Sequence, residues 1–166
     1  MLKIITSMKE LNFSALMEVY IEGNQKDGKD NWPDSPSGLQ LQLAEQAAHQ
    51  YLRECFFTTP GAVYYVWTEG ERYISALRLE PYWDGFLLEA LETAPAMRQQ
   101  GYAVRLIRAV LAERSGEKIY SHIHKRNTAS IAAHESCGFH RVRDMAVYAD
   151  GSVLSSNATY LYEKGF

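Results

Sequence analysis

The sequence predicts an α/β (α+β) fold, with a mixed, mostly antiparallel central sheet of about seven strands flanked by about four helices. Three observations predict it. Two segments of helical periodicity lie in the first third of the chain, three strand-like segments joined by short turns follow between Val63 and Thr93, and helix, strand, helix and hairpin then alternate to the end. The 166 residues are enough for one domain with a sizeable core, and residues 1–166 read as a single one.

Met1 to Thr6 alternates weakly and reads as a first strand. Phe13, Leu16, Met17, Tyr20 and Ile21 recur at helical spacing and define one helix face. The run Gly23–Gly38 holds five glycines or prolines with several Asp and Asn residues, which predicts a long loop. A second helix follows, with Ala44, Ala47, Ala48, Tyr51, Leu52 and Cys55 on its inner stripe. Val63 to Trp67, Tyr73 to Leu79 and Phe86 to Thr93 are strands, separated by turns at Glu69-Gly70 and Asp84-Gly85. Such short connections predict an antiparallel meander. From Gly101 a helix returns with Ala103, Leu106, Ile107, Val110 and Leu111 inward. Lys118 to Ile123 is a further strand, Asn127 to Cys137 a short helix, and the remainder a hairpin turning near Asp150-Gly151.

Composition excludes several classes. Hydrophobic residues make up 46%, against disorder, and no apolar run is long enough to span a bilayer. The N-terminal stretch lacks an apolar segment followed by a small-residue cleavage site, so the expected compartment is the cytoplasm. Cys55 and Cys137 are too few for a disulfide framework and fit no metal spacing. A net charge of -3 with scattered basic residues gives no nucleic-acid-binding face.

The chemistry concentrates in two segments. In the first, a strand ends near Thr93, a turn contains Pro95, and Arg98-Gln99-Gln100-Gly101-Tyr102-Ala103 opens an amphipathic helix. A helix start offers unpaired N–H groups and partial positive charge to a phosphate. Gly101 lets the backbone approach an anion, although a flexible helix-start glycine would look the same. In the second segment, Asn127 is a good N-cap and Gly138 a good terminator of the following helix. At helical spacing Asn127, Ser130 and His134 share one polar sector on a helix otherwise rich in Ala and Ile.

Arg98-x-x-Gly101-x-Ala103 resembles the pyrophosphate-binding motif of the GNAT family of N-acetyltransferases, usually Gln/Arg-x-x-Gly-x-Gly/Ala. Asn127-x-x-Ser130-x-x-x-His134 with Gly138-Phe139 resembles the family's later segment, commonly Asn-x-x-Ala-x-x-x-Tyr with a closing Gly-Phe. The element order matches that fold over nearly the whole chain. The resemblance implies transfer of acetyl from acetyl-CoA to a primary amine of a small molecule or peptide, with a homodimer compatible and no metal required. It places Leu91, Glu92 and Thr93 beside the pantetheine and acetyl group. The backbone from Arg98 to Ala103, through Gln99, Gln100, Gly101 and Tyr102, would hold the pyrophosphate, with Asn127 and Ser130 along the pantetheine and sulfur.

His134 departs from the family pattern, standing where many relatives carry a tyrosine that protonates the leaving thiolate. A histidinium is acidic enough for that step, but a packing role with water as the acid remains the alternative. For the base, period-2 alternation places Glu89 on the face of Leu87, Leu91 and Thr93, and Glu92 on the other. Glu89 is therefore the expected base, with Glu92 or water as alternatives; a bulge would reverse the parity. His122-x-His124 places two imidazoles on one strand face but lacks a third metal ligand. The Tyr-to-His change also leaves open a non-catalytic acetyl-CoA-binding module.

Overall fold

The computed structural model describes residues 1–164. Chain order is β1 (Leu2–Ile5), α1 (Phe13–Val19), α2 (Ile21–Asn31), α3 (Ser37–Tyr51), β2 (Val63–Glu69), β3 (Arg72–Tyr82), β4 (Gly85–Thr93), α4 (Tyr102–Glu113), β5 (Ile119–His124), α5 (Thr128–Ser136), β6 (His140–Arg143), β7 (Ala146–Val147), β8 (Val153–Leu154) and β9 (Asn157–Tyr162). Seven strands form one sheet in the order β1-β2-β3-β4-β5-β9-β6. Only β4 and β5 run parallel. The predicted mixed, mostly antiparallel sheet is present, and the expected C-terminal turn at Asp150-Gly151 joins the minor β7–β8 pair.

Alternation along the strands divides the apolar side chains between two cores. On one face Leu77, Leu79, Leu88, Ile119 and Ile123 meet Leu106, Ile107 and Val110 of α4. On the other, Tyr64, Val66 and Ala76 pack against Ile5, Leu16, Val19, Leu52 and Phe56. The core positions expected for α4, apart from partly covered Ala103, are buried.

Three expectations are corrected. The Gly23–Gly38 segment is mostly helix α2, raising the α-helix count to five. Its glycines and Asp residues disfavour helix locally, but α2 docks on α3 where Gly28 faces the Gln40 backbone. A Cβ there would lie 2.5 Å from the Gln40 carbonyl oxygen, so tertiary packing uses the glycine that local propensity penalises. The helix expected to run through Ile21 breaks at Tyr20, between α1 and α2. Finally, α3 continues into a π-helical turn, Leu52–Phe56, in which the Phe57 N–H reaches the Leu52 carbonyl at 2.9 Å. The wider turn changes the phase. Leu52 and Phe56 face the core, whereas Ala47, Tyr51 and Cys55 of the expected stripe are exposed.

Strand β4 carries the feature that positions the site. Arg78 of β3 faces Glu89 and Ala76 faces Glu92, so β4 takes three steps where β3 takes two. This is a β-bulge, and Ala90 within it has φ +53°. At the other end of β4, Gly85 lies against β5, where a Cβ would stand 2.2 Å from the Lys118 carbonyl oxygen. Gly85→Ala is expected to push β5 off this end of β4 and destabilise the protein by about 1–3 kcal/mol, read as a lower Tm. An unchanged Tm would mean that the strands separate there without loss.

Candidate active site

The parallel pair β4–β5 is joined only from Phe86–Leu88 to Ile119–Ser121, after which the strands part at the bulge. A gap of about 170 Å³ opens there. It is lined by Glu89 and His122 from one sheet face and by Ser121, Ser130 and His134 from the other. It therefore passes through the sheet.

Beside it, on the α4–α5 face, lies a cleft of about 420 Å³. This cleft brings together Leu91, Glu92, Thr93, Arg98, Gln99, Gly101, Tyr102, Ala103, Asn127 and Ser130, all singled out by sequence. Gln100 is exposed and does not line it. Gly101 caps α4 with φ +80°, and Gln99 also has positive φ, at +60°. Residues alternating into the left-handed region turn N–H groups into an anion-binding concavity, here continuous with the unpaired donors of α4. No side chain caps that helix start. Asn127 caps α5 as expected, its side-chain oxygen accepting from the Ser130 N–H at 3.1 Å.

The Arg98 side chain is engaged within the protein. Its guanidinium donates to Glu22 at 2.7 Å and to Glu92 at 3.3 Å, while its Nε reaches the Thr93 carbonyl at 3.3 Å. In this arrangement the side chain ties α2 to β4.

The parity expected for Glu89 is overturned by the bulge. Glu89 and Glu92 share the face of Ala76 and Arg78, whereas Thr93 points the other way and its hydroxyl lies 3.0 Å from that of Ser75. Tyr20, at the α1–α2 break, donates to the Ala90 carbonyl at 2.5 Å and accepts from the Tyr64 hydroxyl at 2.8 Å. Burial and the neighbouring Glu80 push the Glu89 carboxyl up to about 7, against the opposing pull of Arg78, whose Nε lies 3.4 Å away. Burial also raises Glu92, despite its pairing with Arg98.

His134 is 1% exposed. Its Nδ1 lies 2.8 Å from the Ser130 carbonyl, so that nitrogen carries the proton; Nε2 then accepts from the Ser121 hydroxyl at 3.0 Å. Burial lowers its pKa, only partly offset by the Ser130 contact. The ring is therefore neutral at pH 7, which corrects the expected imidazolium donor.

His124 Nδ1 accepts from the Arg126 N–H at 3.1 Å. Among the described residues no group of three or more His, Cys, Asp or Glu side chains gathers as a metal site. Nor is any described helix long and apolar enough to cross a membrane. Around the bulge, sequence reading gave Tyr20 only a place on a helix face, took Tyr64 as one of several strand aromatics that pack or line an acceptor pocket, and did not single out Arg78.

The profile of the Acetyltransferase (GNAT) family matches residues 16–139. No curated protein matches the chain in sequence. Among solved structures, the ribosomal-protein-S18-alanine N-acetyltransferase of Escherichia coli superposes with TM-score 0.62 at 17% identity, covering 100% of this chain and 96% of that one. The PaiA N-acetyltransferase of Thermoplasma acidophilum, in complex with coenzyme A, gives 0.63 at 12%, covering 99% of both chains. Aminoglycoside 6'-acetyltransferase type Ii gives 0.60 at 14%, covering 98% and 96%. These likenesses agree in fold, and the family match spans the strands, bulge and both helices that frame the cleft: the chain belongs to the GNAT family of acetyltransferases.

Proposed function

We propose that the protein transfers the acetyl group of acetyl-CoA to a primary amine of a small molecule or peptide. The observation that carries this reading is the gap through the sheet, with the backbone-lined cleft on one side and the raised carboxyl of Glu89 on the other. Acetyl-CoA occupies the cleft, its pyrophosphate on the N–H groups from Gln99 to Ala103 and its thioester at the gap. Glu89, as carboxylate, takes a proton from the acceptor ammonium. The neutral nitrogen attacks the thioester carbon, and backbone N–H groups at the bulge near Leu91 stabilise the oxyanion. The attacking nitrogen, now positive, gives up its second proton as collapse breaks the C–S bond, releasing neutral amide and thiolate.

His134 serves this last step from its neutral form. It fixes the Ser121 and Ser130 hydroxyls at the gap, where a proton can be passed to sulfur. His134→Ala is expected to lower kcat by about tenfold while changing coenzyme affinity less, and to lower Tm by opening a cavity. Normal turnover with an unchanged pH profile would reduce His134 to a packing residue.

Neighbours named for a protein alanine and for an aminoglycoside are consistent with amine acceptors of very different size. The test is thiol release from acetyl-CoA across a panel of alkylamines, aminoglycosides and peptides. Release with at least one amine supports the enzyme. Tight coenzyme binding with no release supports the non-catalytic module instead.

A further inference from the structure

Among the described residues three buried side-chain atoms make no hydrogen bond: Arg78 Nε and Glu89 Oε2, which face each other as an ion pair at 3.4 Å, and His122 Nδ1, which has no partner. All three belong to one face of neighbouring strands β3, β4 and β5. Buried polar atoms are seldom left unpaired, and His122 Nδ1, beside that ion pair, is the one of the three with neither a hydrogen bond nor a charge partner. Glu89 and His122 also line the same gap. Continuing the register Leu87↔Tyr120 by two residues places His122 opposite Glu89, where the strands begin to part.

The hydrogen bonding around His122 fixes which nitrogen is free. Tyr82 has one hydroxyl hydrogen, and it goes to the Val147 carbonyl in a short hydrogen bond. The remaining contact, a long 3.5 Å between Tyr82 Oη and His122 Nε2, is favourable only if Nε2 carries the imidazole hydrogen. Nδ1 is then a bare lone pair. Tyr82 and Tyr148 hold the ring edge-on, at centroid distances of 5.6 and 4.9 Å.

We propose that His122 is a second base of the acceptor site, its Nδ1 and the Glu89 carboxylate together receiving the two N–H protons that an alkylammonium must lose. The assignment rests on the acetyl-transfer reading above. Glu89 takes the first proton and frees the nitrogen lone pair. Attack forms the C–N bond, moves the carbonyl pair onto oxygen and leaves a positive nitrogen with two hydrogens. His122 Nδ1 takes one of these, the carbonyl re-forms and the C–S bond breaks. One of the two protons finally resides on the thiol, and the other leaves to solvent. Burial and the charge of Arg143 on β6 lower the His122 pKa, keeping it neutral and able to accept at pH 7. The other titratable and charged groups around this pocket and gap include Arg78 and Tyr82 from β3, Glu89 from β4, Tyr120 and His124 from β5, His134 from α5 and Tyr148 from the segment after β7.

Two measurements test the assignment. Long-range ¹⁵N–¹H correlation on histidine-labelled full chain at pH 7.5 should find His122 as the Nε2–H tautomer, and the Nδ1–H tautomer would overturn the proposal without reference to turnover. In the thiol-release assay, with an amine that the wild type accepts, His122→Gln should lower kcat/KM about tenfold or more. Its acid limb should lose one ionisation, with KM for acetyl-CoA unchanged. His122→Asn provides a second variant should the first fail to fold. Wild-type rates and an unchanged pH profile in either variant overturn this proposal alone. Absence of thiol release by the wild type with every amine overturns the acetyl-transfer reading, and this assignment with it.

Discussion

Replacing Glu89 by glutamine is expected to lower kcat/KM at pH 7 by about a hundredfold, within the range for removing a general base. Part of the rate should return above pH 9, where more of the acceptor is already neutral. The same substitution should have the opposite sign in stability. A carboxyl raised from 4.5 to about 7 favours folding in its protonated form. Its contribution is complete below pH 4.5 and is lost as pH rises through 7. Glutamine mimics the protonated acid and does not ionise. Glu89→Gln should therefore match wild type near pH 4 and exceed it by on the order of 2 kcal/mol at pH 8, by denaturant titration. Equal turnover across pH would assign the base elsewhere, and equal stability at pH 8 would mean that the Glu89 charge is not buried.

Gly101→Val is expected to weaken coenzyme A binding by about tenfold to a hundredfold in calorimetry. The protein itself leaves room, since a Cβ at Gly101 would meet nothing within 4 Å. The cost comes from the backbone, whose φ of +80° costs a non-glycine residue about 1–2 kcal/mol. A β-branched side chain relaxing out of that region would turn the N–H groups of the α4 start away from the cleft. Gly101→Ala should bind with intermediate affinity. Unchanged affinity in a folded Gly101→Val protein would remove this loop from the coenzyme site.

Which features were legible from sequence follows from how far away their causes lie. Gly101 and Asn127 act within one helical turn, so local pattern located the α4 start and the α5 cap. The meander β2–β3–β4 was similarly readable from alternation and turns. Helix α2 was not, because its glycine-rich composition becomes favourable only against Gln40 of α3. Nor was the direction of Glu89, because the bulge that turns it is held by Tyr20, seventy residues earlier in the chain. His134, placed by helical spacing with Asn127 and Ser130, does line the gap, but its neutral state follows from burial, which no local pattern shows.

The gap between β4 and β5 draws its lining from both faces of the sheet, with the larger cleft on only one of them. For acetyl transfer across it, donor and acceptor never compete for one doorway, so a ternary complex forms and initial-rate lines at varied acceptor concentration should intersect rather than run parallel. Selection also falls on the reacting end of the acceptor. Only the nitrogen and its nearest atoms must enter a space of about 170 Å³, while the remainder stays on the outer side. On that reading a bulky body on a slender, unbranched aminomethyl arm should react on the same terms as a short alkylamine, whereas branching next to nitrogen should slow the reaction.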